Sequence, residues 1–81
     1  MPAIIEIYTR PNCHLCEVAK SELNALRMEI GFDIFEINVE QSKELQEKYG
    51  EFVPVIMLNG EVLSRFDVNI EQLRLKIQNY N

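Results

Sequence analysis

The pair Asn59-Gly60 lies between two runs of mostly apolar and β-branched residues, 55–58 and 61–66, and it constrains the fold more than any other feature. Both residues tolerate positive φ, so an Asn-Gly pair in that setting specifies a tight hairpin and two antiparallel strands. Upstream, residues 3–8 (A-I-I-E-I-Y) read as a buried strand, and Thr9-Arg10-Pro11-Asn12 breaks it. A helix follows, with Asn12 as expected N-cap and both cysteines in the first turn. Leu15, Ala19, Leu23, Leu26 and Ile30 recur at three- and four-residue steps and predict its buried stripe, with Gly31 as its stop. Residues 32–39 (F-D-I-F-E-I-N-V) mix apolar and acidic residues as a sheet edge does. A strand, a helix and a second strand in this order form a parallel βαβ unit. The hairpin must then add antiparallel strands to the same sheet.

Two further helices complete the pattern. One is expected over residues 42–49, ending at Gly50, with Glu40, Glu44 and Glu47 as a solvated acidic face. The last begins at Asn69, a good N-cap, with Gln72 at the capping-box position and Val68 able to staple onto Leu73. Ile70, Leu73, Ile77 and Tyr80 then face one way. The expected architecture is α/β, in the order strand-helix-strand-helix-strand-strand-helix, with a four-stranded mixed sheet. Eighty-one residues hold one domain, expected over 1–81.

Charge and composition exclude several functions. Thirteen acidic residues against eight Lys and Arg leave a net charge of -5, which repels phosphate backbones and argues against nucleic acid as a partner. No run of about 18 uncharged apolar residues occurs and no helix has a basic face, so neither a membrane span nor membrane-surface binding is expected. The N-terminal stretch reaches Glu6 too early for a secretory apolar segment, and a cytoplasmic protein is expected.

The chain has only two cysteines, Cys13 and Cys16. A disulfide across so short a loop removes little entropy from the unfolded chain, so redox chemistry or metal binding is the better reading. At a helix N-terminus, free amides and the helix dipole stabilise a thiolate, which is the nucleophile in disulfide exchange. Cys13 therefore reads as the attacking thiol, and Cys16, one turn further in, as the resolving thiol. Arg10 and a protonated His14 would add positive charge; His14 reads as an exposed modulator rather than a base, and Arg10 as a solvated residue. Tyr8 either borders the site or packs in the core, and Glu6 is expected to face outward, the alternative being burial near Cys16 as an aid to proton transfer. Zinc needs about four ligands, and Cys13, Cys16 and His14 supply too few; an iron–sulfur cluster would have to bridge two chains. No metal site within the chain is expected.

Pro54 precedes an apolar run, where it offers no ladder hydrogen bond. A cis Val53-Pro54 peptide, presenting the Val53 backbone beside the cysteines, would explain it. A trans proline opening an edge strand is the other possibility, and only about 5–6% of X–Pro bonds are cis.

Taken together, Tyr8-Thr9-Arg10-Pro11-Asn12-Cys13-His14-Leu15-Cys16 after the first strand and Val53-Pro54 before the third resemble glutaredoxin and its thioredoxin-fold relatives. Cys-His-Leu-Cys, Asn38-Val39-Glu40 and Phe66-Asp67 resemble more narrowly the small bacterial glutaredoxin-like proteins of uncharacterised function. The resemblance covers nearly the whole chain. It implies a thioredoxin-like fold, a cis Pro54, and Val53 pairing with substrate backbone as a short added strand. It also implies thiol–disulfide oxidoreductase and electron-transport activity on a protein or small-molecule disulfide. Tyr8, Arg10, His14, Val53 and Pro54 are the expected substrate-binding residues.

The chain departs from the glutaredoxin pattern in lacking a Gly-Gly-Asp type segment after the last strand, where residues 63–69 (L-S-R-F-D-V-N) stand. It also has His14-Leu15 where Pro-Tyr is common, and it contains no Trp. No bound cofactor and a monomer are expected, with electrons from glutathione or a flavin-linked reductase. The missing glycine pair argues against glutathione. The competing reading is a redox-inert or iron–sulfur-carrying binding module that docks a partner through Val53-Pro54.

Overall fold

The computed structural model describes residues 3–80, and for Tyr80 only the backbone; the expected inward packing of the Tyr80 side chain lies outside that description. The elements follow the order expected from the sequence: β1 (Ile4–Thr9), α1 (His14–Glu29), β2 (Asp33–Asn38), α2 (Lys43–Tyr49), β3 (Val55–Leu58), β4 (Glu61–Arg65) and α3 (Ile70–Tyr80). A short 3₁₀ turn, Val39–Gln41, intervenes before α2 and carries Glu40, which thus lies outside that helix. The sheet order is β2-β1-β3-β4, with β1 parallel to β2, and with β1–β3 and β3–β4 antiparallel. This is the thioredoxin-like α/β fold, with β2 at the edge as its mixed composition requires.

Alternation along the central strands divides the interior into two cores. Ile5 and Ile7 of β1, with Ile56 and Leu58 of β3, pack with Ala19, Leu23 and Leu26 of α1 and with Leu73 and Ile77 of α3. Val55 of β3 belongs to a second core with Val39, Tyr49, Val53 and Cys16, against which Tyr8 and Met57 are packed. An ion pair between Arg74 and Glu29 links α3 to α1.

The local signals produced their elements through identifiable contacts. Asn59 and Gly60 take φ of 48° and 90°, and the Ile4 amide donates to Asn59 Oδ1 at 2.8 Å, tying the turn to the start of β1. The Leu45 amide donates to Ser42 Oγ at 3.3 Å, and α2 ends on Gly50. The Gln72 amide donates to Asn69 Oδ1 at 3.0 Å, and Val68 packs on the core that contains Leu73.

Three expectations for α1 are corrected. Its N-cap is Cys13, in an extended conformation, whereas Asn12 has φ 58° and stands outside the helix. A thiol sulfur takes the capping place that an amide oxygen was expected to fill. Leu15 is 52% exposed, and Cys16 takes its place in the buried set. The helix ends one residue early on extended Ile30, so no left-handed glycine terminates it. Finally, β3 and β4 do not pair residue for residue: the register shifts between Ile56 and Met57, leaving Leu63 as the extra residue of a bulge.

Candidate functional site

β1 delivers the chain to the sheet's end at Thr9, and the turn 10–12 reverses it into α1. Asn12 adopts the left-handed conformation that Asn tolerates better than most residues. This reversal sets Cys13 at the helix mouth. Its sulfur accepts the Cys16 amide at 3.2 Å, and its carbonyl accepts the Glu17 amide at 3.2 Å. Cys13 is half-buried, while Cys16 is 1% exposed. The two are joined in a disulfide with Cα atoms 5.2 Å apart, inside the range that bridged cysteines occupy.

The residues expected from the sequence converge only in part. Val53 is buried, its peptide bond to Pro54 is cis, and both Val53 and Cys13 belong to the core that encloses Cys16. Pro54 lies just ahead of β3, so its missing amide leaves no gap in the ladder. Tyr8 takes the packing role: it is half-buried, packs against the cluster that contains Cys16, and lies 4.7 Å from the Tyr49 ring centroid to centroid. Its hydroxyl pKa is raised above the ordinary 10.0, first by burial and then by the charges of Glu6 and Tyr49. Arg10 and His14 are both exposed, Arg10 in the turn and His14 as the first residue of α1. Glu6 is half-buried rather than fully outward. Among the described residues, no cluster of three or more His, Cys, Asp or Glu side chains is arranged to hold a metal ion. Among the same described residues, no helix is long and apolar enough to cross a membrane.

The structure adds two features to this list. A polar chain brackets the cysteine loop: the buried Thr9 hydroxyl donates to Glu36 Oε2 at 3.0 Å, and Lys20 Nζ reaches Glu36 at 3.2 Å and Glu17 at 3.0 Å. Those carboxylates raise the Lys20 pKa above 10.5, Glu17 more than Glu36. Edge strand β2 therefore holds the residue before the loop and the helix after it. No motif announces this chain, because its members are far apart in sequence.

The second feature is Phe66, whose φ is 71°. Its amide donates to the carbonyls of Phe52 (3.1 Å) and Pro54 (2.9 Å), and the Asp67 amide donates back to Arg65 at 2.8 Å. The end of β4 is thereby fastened to the loop that bears Pro54. The Phe66 ring meets Phe52 edge-on at 5.9 Å, and the Arg65 guanidinium lies 5.2 Å from the Phe52 ring centroid. A bulky residue at positive φ has no sequence signature; Tyr49, four residues after Leu45 on α2, did have one.

Comparison with known proteins bears on the family and the fold. The family model described as the glutaredoxin-like domain (DUF836) matches residues 4–78. An uncharacterized protein of Mycobacterium tuberculosis is 31% identical over 78 residues, spanning 90% of this chain and 80% of the relative. The solution NMR structure of a Nitrosomonas europaea protein superposes with a TM-score of 0.83 at 24% identity, covering 95% of this chain and 93% of the other. Fasciola hepatica thioredoxin superposes with a TM-score of 0.64 at 24% identity, covering 99% and 82%. At that identity the two structures establish the shared fold alone.

Proposed function

The chain belongs to the glutaredoxin-like domain family, and from that premise we propose that it is a thiol–disulfide oxidoreductase in which Cys13 attacks and Cys16 resolves. One observation carries the reading: the Cys13 sulfur accepts a main-chain amide at the mouth of a helix, with the Cys16 side chain sealed behind it. In the reduced protein, that amide and the positive end of the helix dipole favour the Cys13 thiolate.

The thiolate attacks one sulfur of a substrate disulfide. The substrate S–S bond breaks, and the departing thiolate takes up a proton. Cys16 then loses its proton and attacks the Cys13 sulfur of the mixed disulfide, expelling the second substrate thiol. The substrate has gained two electrons and two protons, and the protein is left with the Cys13–Cys16 disulfide. An external thiol donor, glutathione or a flavin-linked reductase, restores the dithiol, so the cycle needs no bound cofactor. The backbone of Val53 pairs with the substrate main chain, Tyr8 borders the cleft, and Arg10 and His14 supply positive charge at its exposed rim. A cytoplasmic, reducing setting suits this role, with the protein acting as a monomer in electron transport to protein or small-molecule disulfides.

The test is a trapping experiment. Cys16→Ser accumulates a mixed disulfide on Cys13, seen by mass spectrometry, and Cys13→Ser neither traps substrate nor reduces it. Trapping on the wrong cysteine, or full turnover by Cys13→Ser, contradicts the assignment.

A further inference from the structure

Beside the cysteine loop, the start of α1 and the turn leaving β4 enclose a groove of about 70 Å³. Its apolar wall is Leu15, Val18, Phe66 and Val68, and its polar wall is Glu22 and Asp67. Leu15, Val18 and Phe66 are 52%, 41% and 50% exposed. Three large apolar side chains open to water on a chain of net charge -5 form a patch that folding alone does not explain. Leu15 lies between the two cysteines in sequence, and the Phe66 amide is bonded to the Pro54 carbonyl, so the groove continues the redox site.

Its chemistry limits what it can hold. The Phe66 and Asp67 amides are both engaged by main-chain carbonyls. The Gln72 and Leu73 amides at the start of α3 are taken by the side chain and carbonyl of Asn69. These donors are therefore not offered to a ligand carboxylate, and the carboxylates of Glu22 and Asp67 repel one. Phe66 occupies the turn at a positive φ that favours glycine, a conformation held by hydrogen bonds on both sides of the residue.

We infer that this groove is a docking subsite for a polypeptide disulfide, seating a large apolar side chain among Leu15, Val18 and Phe66 and directing a neighbouring Lys or Arg to Glu22 and Asp67. The inference rests on the oxidoreductase reading above and makes the substrate a basic-apolar polypeptide segment rather than a small dicarboxylate thiol compound. Phe66 and Asp67 are then specificity-determining residues: they touch substrate and select it without taking part in exchange.

The experiment compares three disulfides reduced by the dithiol protein: a cystine peptide flanked by Leu and Lys, the same peptide with Asp replacing both flanks, and hydroxyethyl disulfide. The Leu-Lys peptide is expected to exceed the acidic one in kcat/KM by about tenfold. Phe66→Asn, which tolerates the left-handed conformation, should lower the ratio of Leu-Lys peptide to hydroxyethyl disulfide by about tenfold, and Asp67→Asn should narrow the ratio between the two peptides. Leu15→Ser provides the same readout should Phe66→Asn fail to fold. Binding is measured separately by NMR titration with the Leu-Lys peptide carrying Ser for Cys, which should shift the amides of Leu15, Val18 and Phe66. Equal rates on the two peptides, or shifts confined to other faces, overturn the subsite. Shifts at these residues without reduction of any disulfide uphold the subsite and overturn the oxidoreductase reading instead.

Discussion

The sulfur of Cys13 caps the helix that buries Cys16, accepting the Cys16 amide at 3.2 Å while the Cys16 side chain is only 1% exposed. Two cysteines three positions apart therefore meet solvent and backbone in opposite ways. In the reduced protein, Cys13 should alkylate with an apparent pKa below the free-thiol value of about 8.5. Cys16 should react at least about tenfold more slowly, since burial both shields a thiol and disfavours its anion. Mass-resolved iodoacetamide labelling across pH measures both; a Cys13 value at or above about 8.5 refutes the capping argument.

Burial along α1 can be tested with two leucines of the same helix. Leu23 is fully buried between sheet and helices, so Leu23→Ala should cost about 2–5 kcal/mol of unfolding free energy. Leu15 is half exposed, and Leu15→Ala should stay within about 0.5 kcal/mol of the wild type. Urea denaturation of the two variants checks the ordering.

At the hairpin, Gly60 has φ 90° with open space where a Cβ would project, so its sensitivity is conformational rather than steric. Gly60→Ala should cost about 1–2 kcal/mol. Asn59→Gly preserves the turn but removes the acceptor of the Ile4 amide, at a cost of about 0.5–1.5 kcal/mol. Thermal unfolding of both variants separates the turn from its tether to β1.

Alkaline pH provides a test of the Tyr8 environment. Native Tyr8 keeps its proton to higher pH than the unfolded chain does, because burial, Glu6 and Tyr49 all oppose the phenolate. The unfolded state thus loses this proton first, near the ordinary value of 10.0, and binds fewer protons than the native state from there upward. The stabilisation is complete below that pH and is lost as pH rises through the native value. Between about pH 9 and about pH 11, around the ordinary tyrosine value of about 10, the wild type should lose more stability than Tyr8→Phe. Denaturant midpoints of the two proteins at each pH provide the measurement.

Short-range chemistry made much of this molecule legible from its residues. Asn59-Gly60 specified the hairpin, Ser42 and Asn69 specified helix starts, and the mixed composition of β2 placed it at the sheet edge. Each rests on preferences that act within a few residues. The cysteine spacing likewise placed a nucleophile candidate at a helix mouth. What remained hidden depends on residues brought together from distant parts of the chain. Cys16 rather than Leu15 is buried because the start of α1 faces Val39, Tyr49 and Val53, none of which is near it in sequence. Thr9, Lys20 and Glu36 meet only once β2 lies beside β1. Phe66 is held left-handed by carbonyls of residues 52 and 54, across the gap between β3 and β4. Local backbone and capping preferences thus determined which elements form and roughly where they stop. Only the packed sheet decided which sulfur is covered and which side chains surround the other, because burial and long-range hydrogen bonds exist only once the strands are assembled.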